Sequence, residues 1–289
     1  MRYLSDEKII SALRCPVCGS EMAVDVKSSA SLFCRGVKKH CYDFSSRGYV
    51  NFAPPGHTSG GDSKQAVLAR TGFLDLELYR PVAQKLSEII DKYCGNNGAF
   101  IIDAGCGEGY YSTALAEKGY SVFGVDLSKF AVDGACKRAN SGNLSNSFFA
   151  VSSVYNLPVA DRSAQAVVNV FAPCVEEEYS RVLSDDGILA VVYAGEKHLL
   201  GLKKAVYDVA HENDGRDDLP VGLALAEEVS VEYDIELCSN GDIKNLFAMT
   251  PYYWKTSKED HEKLETLSYL KTEVHMVIGI YRKAGEKKA

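Results

Sequence analysis

Two clusters in this 289-residue chain have the residue types and spacing to do chemistry. The first is Asp103-Ala-Gly105-Cys-Gly107-Glu-Gly109-Tyr-Tyr111, which grows out of an apolar stretch of strand character beginning at Ala99. Glycines at alternate positions let the main chain turn tightly and approach a ligand closely. A dinucleotide fingerprint, G-x-G-x-x-G, needs glycine at position 110. Tyr110 stands there instead, so the turn reads G-x-G-x-G and no pyrophosphate is expected at the helix that follows. Seventeen residues beyond Gly109, Asp126 closes a second strand-like segment that begins at Ser121. A carboxylate at that point suits both hydroxyls of a ribose. The competing role is capping a helix that starts near Ser128, and the glycine turn just before it favours the ribose.

The second cluster is of thiols. No run of about 18 apolar residues marks a membrane span, and the first residues lack the blocks of a signal peptide, so a cytoplasmic protein is expected. Clustered cysteines in that compartment more often bind metal or react than form disulfides. Cys15-Pro-Val-Cys18-Gly19 has the spacing of a metal knuckle, with Cys34 after fifteen intervening residues and His40 or Cys41 behind it. Segments Val24–Val26 and Ser31–Phe33 suit a hairpin between the two halves, as in a zinc ribbon. A redox pair at Cys15/Cys18 would need a thioredoxin-like context that is not apparent, so one structural zinc is the expectation. Cys94, Cys106, Cys136, Cys174 and Cys238 are scattered among apolar neighbours and read as small core residues.

The elements that must position these groups follow from periodicity. Leu78, Val82, Leu86, Ile89, Ile90 and Tyr93 recur at helical steps. Strand-like segments at 99–103, 121–126, 148–151, 165–171 and 187–193 alternate with helices at 110–118 and 129–139. That alternation predicts an α/β fold, a parallel sheet with helices on both faces and the ligand-binding ends of the strands along one rim. A Pro-, Gly- and Ser-rich stretch after Phe52 marks a boundary near residues 53–64, which separates a zinc-binding module (1–60) from a larger domain (61–289). Residues 1–60 carry eight Lys/Arg against five Asp/Glu, whereas the whole chain has a net charge of -7. Segment Glu273 to Arg282 reads as an edge strand.

The turn with its following acidic residue resembles the S-adenosylmethionine-binding motifs of Rossmann-like class I methyltransferases. The resemblance sharpens over nearly the whole chain. Cys15, Cys18 and Cys34, His40-Cys-Tyr-Asp43, Gly48-Tyr-Val-Asn51, Ala69-Arg70, Phe73-Leu-Asp75, Asp103 to Tyr111, Ala172-Pro-Cys174, Lys197-His-Leu199 and Met249-Thr-Pro251 with Trp254 occur in order. This order resembles the RlmA family, the 23S ribosomal RNA guanine-N1 methyltransferases with an N-terminal zinc-binding domain. The resemblance implies zinc ligands at Cys15, Cys18, Cys34 and His40, although the wider spacing before His40 keeps Cys41 as the alternative. It implies donor contacts from Tyr79, Tyr111, Ser112 and His198, beside the turn residues Asp103, Gly105, Gly107, Gly109 and Asp126.

It further implies transfer of the methyl of S-adenosylmethionine to a guanine N1 in 23S ribosomal RNA. The catalytic base is not named by the sequence; His198, a carboxylate and solvent are all candidates. Phe171-Ala-Pro173 stands where amino-methylating enzymes carry Asn/Asp-Pro-Pro-aromatic, which suits a ring nitrogen better than an exocyclic amine. Phe171, Tyr253 and Trp254 are candidates for stacking on a displaced base. Lys27, Arg35, Lys38, Lys39 and Arg47 could grip phosphates. The rival reading is a methyltransferase for a small molecule or protein, with the zinc module as a rigid lid. Nothing marks an interface, and a homodimer is compatible with the sequence.

Overall fold

The computed structural model describes residues 4–25, 31–53, 61–95, 98–215, 219–253 and 255–283. Val26, Lys27, Trp254 and most of the Pro/Gly-rich stretch lie outside the described residues. The chain opens with α1 (Glu7–Ala12), β1 (Met22–Asp25), β2 (Ser31–Cys34), β3 (Cys41–Asp43) and β4 (Val50–Asn51). Two helices follow, α2 (Lys64–Leu74) and α3 (Arg80–Cys94). Then come β5 (Phe100–Ala104), α4 (Tyr110–Glu117), β6 (Ser121–Asp126), α5 (Lys129–Ser141), β7 (Ser147–Val151) and β8 (Ala164–Val170). The remainder is α6 (Glu176–Val182), β9 (Leu183–Ala194), α7 (Leu200–Val206), β10 (Leu223–Leu237), α8 (Asn240–Ala248), α9 (Lys258–Glu265) and β11 (Leu270–Lys283).

Eight strands form one sheet in the order β10-β11-β9-β8-β5-β6-β7-β4. The run from β9 to β4 is parallel, and β11 and β10 add antiparallel. Strand β5 is buried at every position, as expected of a central parallel strand covered on both faces. Because strand order reverses between β5 and its neighbours β6 and β8, the carboxyl ends of these three strands border the crevice where such sheets take ligands. The helical stripe expected from Leu78 onward is α3, with Pro81 in its first turn and Val82, Leu86, Ile89 and Ile90 buried.

Segment 273–282 is not an edge strand. It is the middle of β11, which pairs with β9 on one side and with β10 on the other. Strand β10 forms the edge. Its Val229, Val231, Tyr233, Ile235 and Leu237 turn toward the core, while Glu228, Ser230, Glu232, Asp234 and Glu236 are exposed. Such period-two alternation is the signature of a half-buried antiparallel strand.

The N-terminal residues are joined to the sheet by more than a linker. Leu4, Ile9, Leu13, Met22, Leu32, Val50 and Phe52 share one apolar cluster with Phe100, Ile102, Phe123 and Phe148. Helix α1 has only six residues, too few to persist alone. Asp6 caps it by accepting the Ile9 N–H at 3.0 Å, and its second oxygen accepts the Ser121 hydroxyl of β6 at 2.8 Å. Strand β4 pairs in parallel with β7 through Val50↔Ala150 and Asn51↔Val151. The module's own sheet, β1-β2-β3, is antiparallel, with Met22 opposite Cys34 and Phe33 opposite Cys41.

Candidate methyl-donor site and metal centre

The glycine turn leaves β5 at Ala104 and enters α4 at Tyr110. Gly105, Gly107 and Gly109 all have positive φ, at 85°, 54° and 76°. A side chain at Gly105 would overlap the Cβ of Ala172, and one at Gly109 would come within 2.9 Å of the Ala135 Cβ. Glycine is therefore required on both conformational and steric grounds.

Asp126 fixes this turn from below. One carboxylate oxygen accepts the Gly107 N–H at 3.1 Å and the other accepts the Ser128 N–H at 2.7 Å. The capping interaction and a ribose contact are not exclusive. A carboxylate has about four acceptor sites, so two remain for hydroxyl donors. Burial raises the Asp126 pKa, and the two N–H donors pull against that shift.

Asp103, at the end of β5, is 2% exposed and accepts the hydroxyl of Ser112, which is itself fully buried. Burial pushes its carboxyl up to about 7, opposed by the Ser112 hydrogen bond and reinforced by the Asp126 charge. Two acidic side chains thus lie at the ends of adjacent strands on this rim.

Arg70 of α2 covers the turn. Its Nε donates to Glu108 at 2.7 Å, its Nη1 pairs with Asp62, and its Nη2 lies 3.3 Å from where a Gly107 Cβ would be. Glu108 is 2% exposed, and its Oε1 has no partner among the described residues. The Asp62 carbonyl accepts the Ser128 hydroxyl at 2.7 Å, so segment 61–74 is fastened at both ends of the donor crevice. Arg70 belongs to the Ala69-Arg70 motif, to which the sequence assigns no role. Its partners lie 8 and 38 residues away and could not be read from spacing.

The remaining residues converge on the same rim. Tyr79, 2% exposed, packs edge-on against Phe73 at 4.9 Å and lies 6.1 Å from the His198 ring. Tyr111 is half-buried against Tyr110 at 5.3 Å. His198 accepts the His275 backbone N–H at Nδ1 (3.3 Å) and stacks on Phe171 at 6.0 Å and 23°. Burial, with smaller contributions from His275 and Lys203, lowers its pKa to about 3.

The thiol cluster assembles as a four-ligand group. The donor atoms of Cys15, Cys18, Cys34 and His40 all lie within 4.8 Å of one another. Cys18 and Cys34 sulfurs are 3.7 Å apart, and His40 Nδ1 is 3.5 Å from Cys15 and 3.4 Å from Cys34. Ideal zinc bonds of about 2.3 Å to sulfur and 2.0–2.1 Å to nitrogen give tetrahedral edges of about 3.8 and 3.6 Å. The donor set and its spacing fit one structural zinc. Cys41 is exposed on β3, outside this group. The residues of the glycine turn likewise fit S-adenosylmethionine: a main chain free of side chains at Gly105, Gly107 and Gly109, and an Asp126 carboxylate with acceptor capacity left for a ribose.

Comparison with known proteins agrees with this geometry. Residues 96–266 match a family model described as a methyltransferase domain. A Bacillus subtilis (strain 168) protein, YxjB, provisionally named a 23S rRNA (guanine-N(1)-)-methyltransferase, is 30% identical over 93% of this chain and 97% of its own. The 23S rRNA (guanine(748)-N(1))-methyltransferase of Streptomyces fradiae is 30% identical over 79% of this chain and 77% of its own. Fold and site thus define a class I, S-adenosylmethionine-dependent methyltransferase. Within that class, the chain belongs to the family of 23S rRNA (guanine-N1)-methyltransferases.

Two outcomes follow from the geometry. Elemental analysis of protein purified without chelator should give about one zinc per chain for the wild type and for Cys41→Ala, and a clear loss for His40→Ala; the reverse order would move the fourth ligand to Cys41. Asp103 binds its proton more tightly folded than unfolded. Its contribution to stability is therefore full below about pH 4 and lost as pH rises through about 7. Asp103→Asn should remove this decline, at most about 4 kcal/mol, as measured by urea unfolding at pH 5 and pH 8. Parallel pH profiles for the two proteins would contradict the assignment.

Proposed function

We propose that this protein transfers a methyl group from S-adenosylmethionine to N1 of a guanine in 23S ribosomal RNA, in the cytoplasm. The observation that carries the reading is the near-full-length relationship to YxjB, which at 93% of this chain extends well beyond the methyltransferase domain matched at residues 96–266. A homodimer is compatible with this reading and is not required by it.

S-adenosylmethionine supplies a methyl carried on a sulfonium, so the protein's part is approach, orientation and exclusion of water. Asp126 receives the ribose hydroxyls, while Gly105, Gly107 and Gly109 bring the main chain against the donor. Asp103, oriented by Ser112, would add an acceptor at the end of β5 for the donor's polar groups. Tyr79, Tyr111 and His198 wall the crevice. The N1 lone pair forms the new bond to carbon as the carbon–sulfur bond breaks, and the N1 proton leaves to an acceptor.

His198 is a poor candidate for that acceptor. It is neutral far below physiological pH, and its Nδ1 already accepts the His275 N–H, which leaves the proton on Nε2. The acceptor is then a carboxylate or water. On the module, Arg35, Lys38, Lys39 and Arg47 are exposed and free to meet phosphates, with Arg47 3.6 Å from Asp133.

Nucleoside mass spectrometry of ribosomal RNA from cells with and without the gene tests the reading. The protein's presence should add one N1-methylguanosine in 23S RNA; identical N1-methylguanosine content in both would remove it.

A further inference from the structure

Phe171 is anomalous in three respects. It is a bulky side chain with φ of 52°, a left-handed conformation uncommon outside glycine, Asn and Asp. It is 51% exposed, although it immediately follows the buried strand β8. It stands beside the donor crevice, because the next residue, Ala172, fills the space that the missing side chain of Gly105 leaves.

The surrounding structure holds the loop in that conformation. Asn169 Nδ2 donates to the Pro173 carbonyl at 2.9 Å, and the Tyr179 hydroxyl donates to the same oxygen at 2.9 Å. The Phe171 N–H donates to the Val192 carbonyl of β9 at 3.1 Å. One side of the ring rests on His198, and the remainder faces solvent. Backbone conformations of this kind persist where neighbouring contacts over-determine them, and they cluster at functional sites. Of the other two candidate aromatics, Trp254 lies outside the described residues, and Tyr253 is engaged edge-on by Phe247 at 6.0 Å and His261 at 5.2 Å.

We propose that Phe171 is the platform on which the target base stacks once it has left its helix, held beside the donor by the Ala172–Gly105 contact. This rests on the rRNA-methylation reading and deepens it. Guanine N1 is buried in a paired helix, so the base must be extruded and then given a surface to replace its lost stacking. An aromatic ring supplies that for any base.

The test uses the full chain with 23S RNA from cells lacking the protein. Phe171→Gly removes the ring and relaxes the left-handed backbone. It should melt at or above the wild-type temperature and bind S-adenosylmethionine within about threefold of wild type. N1-methylguanosine formation should fall roughly ten- to hundredfold, the size expected for one lost base–aromatic stack. Phe171→Trp should restore most of the rate, and Phe171→Leu should not. Activity of the glycine variant within about threefold of wild type would overturn the platform. So would a leucine variant as active as the tryptophan one, or loss of folding or donor binding in step with activity. If the wild type itself makes no N1-methylguanosine, the function reading falls and takes this inference with it.

Discussion

The donor site depends on one carboxylate. Asp126 ends β6 and accepts the N–H groups of Gly107 and Ser128, so a single side chain fastens the turn after β5 to the start of α5. Without it, a turn built of glycines would have little to hold it, since glycine pays the largest entropy on ordering. Everything else at the rim is arranged around that fastening. Asp62 reaches Ser128, Arg70 reaches Glu108, and Ala172 closes on Gly105. The same geometry leaves acceptor capacity on Asp126, which is how a structural brace can also be a ribose-binding group.

The N-terminal module follows a different logic. Its own three-stranded sheet is too small to supply much core, and a metal cluster compensates for this in small modules. Here the apolar side of the module also continues into the large sheet through Ile9, Leu13, Met22 and Leu32. Strand β4 then extends that sheet beyond β7. The module is thereby packed against the large sheet rather than merely tethered to it. A substrate that must be gripped in one place and modified in another benefits from that rigidity.

Local signals in the sequence carried most of the site. The glycine turn and the first knuckle are short local patterns, and Asp126 closes the next strand-like segment, so each is legible as a candidate from spacing. The choice between His40 and Cys41 could not be read that way, because it turns on which side chain β3 directs toward Cys34. The Arg70–Glu108 pair, the burial that lowers the His198 pKa and the left-handed Phe171 are tertiary effects with no local signature. Strand β10 is a different case. Its alternation of Val229, Val231, Tyr233, Ile235 and Leu237 with polar residues is legible in the sequence, and its pairing places β11 inside the sheet rather than at its edge.

The central claim is that this crevice delivers a methyl group to guanine N1. The most direct measurement incubates the purified, zinc-loaded protein with S-adenosylmethionine bearing a deuterated methyl and with unmodified 23S ribosomal RNA. The RNA is then digested to nucleosides for mass spectrometry. The account predicts the label in N1-methylguanosine, at about one per RNA at completion. Label in another nucleoside, or none in RNA from a protein shown to bind the donor, would contradict it.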